Sequence, residues 1–163
     1  MFEVRPLDAL DAFIDRRATI LSETIPHKKN PLDVVSTEDL LKWCDVESAV
    51  RYPAVAKVIA LFQSEDDREP LGWNPLALKV MECAPDPVAV LRELVKRLRP
   101  TSWMGSRASV MASRLPLLQE LQGHSDPRIA EFAGQDSLRL KQEVEEERRR
   151  ETKRDKASDE RFE

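Results

Sequence analysis

Apolar residues recur at threes and fours along most of this chain, the spacing of one helical face. In residues 6–24, Leu7, Leu10, Phe13, Ile14, Ala18 and Leu21 form such a stripe. Pro6 suits a first helical turn, and Asp8 and Asp11 suit the positive end of a helix dipole. "IPHKKNP" breaks this helix with two prolines. "STEDLLKWCD" predicts the next, capped at Ser36 or Thr37, with Leu40, Leu41, Trp43 and Cys44 inward. "YPAVAKVIALFQ" predicts another, begun at Pro53 and striped by Val55, Val58, Ile59 and Phe62. "SEDDREPLG" reads as an exposed acidic loop.

"NPLALKVMECA" and "DPVAVLRELVKRLRP" each open on a cap followed by proline, Asn74–Pro75 and Asp86–Pro87. Pro100 marks the end of the second. "TSWMGSRASVMASRLPLLQELQG" predicts the longest apolar element. A last helix starts at Asp126–Pro127 and runs into charge. "FEV" and "VVS" are the only β-like scraps. About seven helices on short loops predict an all-α fold with antiparallel sequence neighbours.

Composition agrees with this pattern. The chain has 163 residues, room for one ordinary domain that buries a core without staples. Only 4 glycines and 1 tyrosine argue against a barrel or sandwich full of tight turns. The net charge of −4 leaves no global basic footprint for nucleic acid. Two cysteines, Cys44 and Cys83, belong to no CxxC pair and only two histidines exist, which argues against zinc. Both cysteines read as buried free thiols in a reducing cytosol. The N-terminus lacks the apolar core of a signal peptide. No run of about 18 apolar residues predicts a membrane span. A cytoplasmic location is the resulting expectation.

Candidate chemistry is sparse. No Walker lysine loop, G-x-S-x-G, H-E-x-x-H or Gly-rich dinucleotide turn is present. Neither a catalytic, metal nor cofactor site is expected. "MGSR" at 104–107 suits a phosphate at a helix N-terminus, with Ser106 and Arg107 helping; the plainer reading is a helix start after a turn. Asp66, Asp67 and Glu69 have the chemistry for a divalent cation, but a solvated loop holds one weakly. Three tryptophans lie near predicted helix ends. Trp73 reads as a staple before its cap, and Trp43 as filler between helices. Trp103 sits in a polar turn and reads as an interface anchor.

The last 23 residues, 141–163, hold 8 basic and 9 acidic side chains, with almost nothing apolar after Val144. Glu145 with Arg149 and Glu146 with Arg150 support an exposed helix at i, i+4; Glu147 with Glu151 opposes it. The reading is a solvated tail, fraying from about residue 150. Its alternative is a recognition handle that carries Arg148, Arg149, Arg150 and Phe162 and orders on binding. With Trp103 and Arg107, these are the candidate interaction residues.

"LPLLQELQGHSDPRIAEFA" resembles a HEAT-type repeat, through Leu115, Pro116, Leu117, Leu118, Leu121, Asp126, Pro127, Ile129 and Ala133. In such a unit Pro116 bends one helix, Gly123 ends it in the left-handed conformation, and Asp126 and Pro127 start its partner. The predicted seam between the two is Leu117, Leu118, Leu121, Ile129, Phe132 and Ala133. The earlier Asp-Pro lies 40 residues upstream, near the period of about 40–47 for HEAT and armadillo repeats.

The resemblance implies antiparallel helix pairs stacked in a short solenoid over 1–140, with a charged helical extension at 141–163. The function it implies is a non-catalytic scaffold or interaction module with a protein partner, the C-terminal part of a longer solenoid. The alternative is a nucleic-acid-binding helical-repeat protein. It would use Arg92, Lys96, Arg97 and Arg99 as a basic ridge, with Arg107 and Arg114 nearby.

Overall fold

A computed structural model describes residues 10, 11, 14, 32, 35–63 and 71–159. The fold is all-α. Its helices are α1 (Thr37–Val46), α2 (Ser48–Val58), α3 (Pro75–Cys83), α4 (Pro87–Lys96), α5 (Arg107–Ser113), α6 (Leu115–Leu121) and α7 (Pro127–Asp159). Of the first predicted helix, Leu10, Asp11 and Ile14 are described, all helical, with Leu10 and Ile14 buried. The acidic loop with Asp66, Asp67 and Glu69, and Phe162 in the tail, lie outside the described residues.

The chain forms two compact units, Met1–Arg97 and Leu98–Glu163. In the first, α1, α3 and α4 start where the caps predict. Ser36 Oγ accepts from Asp39 N at 3.1 Å, Asn74 Oδ1 from Leu76 N at 2.9 Å, and Asp86 Oδ1 from Ala89 N at 3.1 Å. Each cap satisfies an amide that the first helical turn leaves without a partner.

The third predicted helix needs correction. It begins at Ser48, not Pro53, and Pro53 lies inside it. It also stops at Val58, because Ile59 turns extended (φ −64°, ψ 149°). Phe62 therefore leaves the stripe and forms a single antiparallel bridge with Trp73. Arg97 closes the end of α2, donating from Nη1 to Ala56 O at 3.0 Å and Ile59 O at 2.7 Å. A guanidinium suits the carbonyl end of a helix, where backbone acceptors run out.

In the second unit, α5 and α6 both pack on α7. The long element predicted over 101–123 is two short helices broken at Arg114 (φ −92°, ψ −10°). Pro116 starts α6 rather than bending a continuous helix. In a first turn its missing N–H costs nothing. Gly123 is not left-handed either. Tight turns end α6, with Gly123 N donating to Glu120 O and His124 N to Leu121 O. The left-handed glycine is Gly105, at φ 74°.

Asp126 caps α7 as expected, accepting from Arg128 N at 2.9 Å. The predicted seam exists: Leu117, Leu118, Leu121, Ile129 and Ala133 are buried and Phe132 is half-buried. Position 140/141, the boundary drawn from the charge pattern, falls inside one continuous helix of 33 residues.

Candidate interaction surface

The inward stripe of α7 begins apolar, with Ile129, Ala133, Leu140 and Val144 buried. It then continues at the same spacing with acids. Glu147 is 8% exposed, and Glu151 follows one turn later. Asp136, 5% exposed, and Glu143 flank the stripe.

These acids meet the segment that precedes α5. Arg99 forks onto Glu143, Nε to Oε2 at 2.8 Å and Nη2 to Oε1 at 3.0 Å. Its Nη1 reaches Asp136 Oδ2 at 3.0 Å. Burial alone would lower the Arg99 pKa, but the hydrogen bonds to Glu143 and Asp136 outweigh it and hold the pKa above its ordinary value. Arg107 Nη1 reaches Glu147 Oε2 at 3.2 Å. Glu151 accepts from Ser106 Oγ at 2.7 Å and from Ala108 N at 3.2 Å.

The start of α5 is thus already occupied by an anion, the chain's own Glu151. This is what "MGSR" does in place of holding a phosphate. The Ser106 hydroxyl, then the Ala108 amide, hold the Glu151 carboxyl below its usual range. A depressed folded pKa gives stability that is complete above the unfolded value, about 4.3, and lost as pH falls through the folded one. Amides near 148–157 should therefore lose hydrogen-exchange protection below about pH 4.3. In Glu151→Gln, protection there should be weaker at neutral pH and the acid step smaller. An unchanged acid step in that variant would assign the transition to another group.

The clamps flank the turn at 101–106. Arg99 is held before it and Arg107 after it, and Arg107 Nε also donates to Pro100 O at 3.4 Å. Trp103 is 42% exposed, with the Arg107 guanidinium 5.2 Å from its ring centroid. Met104 beside it is 94% exposed. The arrangement displays an aromatic ring and a thioether on a fastened frame, which suits contact with another macromolecule.

Of the candidate residues, Trp103 and Arg107 come together here. Arg148, Arg149 and Arg150 are exposed on α7. Arg148 pairs with Glu145 at 2.8 Å, while Arg150 approaches at 3.7 Å the same Glu147 that holds Arg107. The acids opposite Arg99 and Arg107 were missed from sequence. Their signal was the spacing of 147 and 151, which prolongs the apolar stripe, with 143 one turn before 147.

The predicted basic ridge is largely engaged. Arg92 and Lys96 are exposed, and Lys96 pairs with Glu93 at 2.6 Å. Arg97 caps α2, Arg99 meets its acids, and Arg114 Nη1 donates to Leu98 O at 3.1 Å.

Trp43 and Trp73 are buried. Trp43 Nε1 donates to Asp11 Oδ1 at 3.1 Å, and Arg51 stacks 4.3 Å from its ring centroid. Cys44 is buried, and burial pushes its thiol up to about 12. Cys83, expected to be buried, is exposed, because it falls in the last turn of α3 on its solvent side. Among the described residues no three His, Cys, Asp or Glu side chains are grouped to hold a metal ion. No helix among them is long and apolar enough to cross a membrane. Comparison of the chain with protein families, with curated proteins and with solved structures finds no match.

Proposed function

We propose that the chain is a non-catalytic protein-interaction module whose helix pairs are arranged in the HEAT-like manner that residues 114–133 resemble. Trp103 is its anchor, and the partner is a protein with an apolar pocket able to take an indole and the adjoining Met104 side chain. One observation carries this reading. A tryptophan and a methionine stand exposed on a turn clamped by Arg99–Glu143 before it and Arg107–Glu147 after it. Exposed apolar groups on a held frame lose little conformational freedom on binding.

Trp103→Ser is expected to leave the melting temperature nearly unchanged and to weaken partner binding about 30-fold, the effect of an interface hot spot of 2 kcal/mol. Affinity capture with the full chain, followed by titration of the recovered protein against both forms, measures this. Equal affinity for both forms would remove Trp103 from the interface. Binding of nucleic acid that collapses steeply with salt would favour the other class of partner.

A further inference from the structure

The outward side of α7 carries its own pattern. Pro127, Glu131, Gly134, Leu138, Lys141 and Glu145 lie at alternating spacings of four and three and so share one face of the helix. An open groove of about 800 Å³ runs along it, lined by Gln119 and Gln122 of α6 and by Gly134, Leu138 and Lys141 of α7. Leu138 is 66% exposed, an apolar knob on a charged helix. One turn earlier Gly134 leaves a notch, where an added Cβ would meet nothing within 4 Å.

Knob and notch on one helix make a self-complementary face. A two-fold axis beside residue 136 sets each Leu138 over the Gly134 of a second copy. The same axis sets Glu131 opposite the second copy's Lys141, because 131 and 141 lie as symmetrically about it as 134 and 138. Both charged groups are exposed, and Gln135 Nε2 steadies Glu131 at 3.2 Å. A parallel pairing would instead oppose Glu131 to Glu131 and Lys141 to Lys141, which repel.

We propose that this face of α7 is the interface of an antiparallel homodimer. The contact from 131 to 141 spans roughly 15 Å of helix axis. That places it at the small end of specific interfaces, so the dimer forms reversibly in the micromolar range or weaker. It uses a different face of the second unit from Trp103 and does not depend on the reading of that turn.

Sedimentation of the full chain from about micromolar to millimolar concentration tests it, the range a small interface calls for. A monomer–dimer equilibrium is expected. Gly134→Leu fills the notch and should weaken association at least tenfold. It replaces a helix-interior glycine facing open space, so the melting temperature should hold or rise. Glu131→Lys and Lys141→Glu should each weaken association, and the double reversal should restore it. Trp103→Ser should leave it unchanged, which separates this result from the fate of the tryptophan turn. A chain monomeric throughout overturns the proposal. So does a dimer indifferent to Gly134→Leu, one not rescued by the double reversal, or a different protein seated on this face of a monomeric chain.

Discussion

Leu118→Ala should cost the second unit about 2–5 kcal/mol, the range for truncating a fully buried leucine that leaves a cavity. Leu118 is 0% exposed on α6, and Leu117 and Leu121 beside it are buried on the same side. They pack on α7, which contributes the buried Ile129 and Ala133. α6 is a single short stretch between Arg114 and Gln122. A helix of that length has almost no stability of its own, so its place depends on this seam. Denaturant unfolding of wild type and variant, with hydrogen exchange to localise the loss, measures the effect. A change below about half a kcal/mol would mean that Leu118 does not carry the seam.

The second large effect concerns the charged end of the chain. Truncation after residue 140 should destabilise the second unit severely, whereas truncation after residue 153 should be nearly neutral. The first removes Val144, 2% exposed, whose burial alone is worth about 1.5–3 kcal/mol. It also removes Glu143, Glu147 and Glu151, leaving Arg99, Arg107 and the start of α5 without those acceptors. The second cut keeps all four, and residues 154–157 are exposed. Thermal melts of the two truncated chains decide it. Equal losses, or none from the shorter chain, would show that the acids of α7 do not hold the 98–107 segment. Composition alone predicts fraying from about residue 150; the hydrogen bonds of Glu151 to Ser106 and Ala108 shift the expected onset to beyond Glu151.

Much of the fold was legible because its signals are local. The caps Ser36, Asn74, Asp86 and Asp126 act on amides two or three residues away, so their sequence context is sufficient. The leucine and alanine periodicities likewise report helices wherever an apolar face exists to be buried. Trp103 stood out for a similar reason: apart from Met104 its near sequence neighbours are polar or glycine, and it is exposed.

The partners of the tail's acids were missed because charge was read along the chain instead of across it. Glu147 and Glu151 repel on an isolated helix, and the local Arg150 reaches Glu147 only at 3.7 Å. Their partners are Arg107, Ser106 and Ala108, some 40 residues upstream. Pro53 and Pro116 show the same limit. A proline announces that a helix hydrogen bond is missing, but not whether it falls inside a helix or at its start.

By itself, then, the sequence determined that the chain is helical, where most helices begin, and which residues form the seam of the last two helices. These follow from capping and periodicity, which act over a few residues. Only the tertiary structure decided that the chain divides at Arg97, that α5 and α6 are separate, and that an acid ladder on α7 clamps the Trp103 turn. The physical reason is that ion pairs and buried carboxylates depend on distance in space. A spacing of 40 residues carries no information about it until the helices have packed.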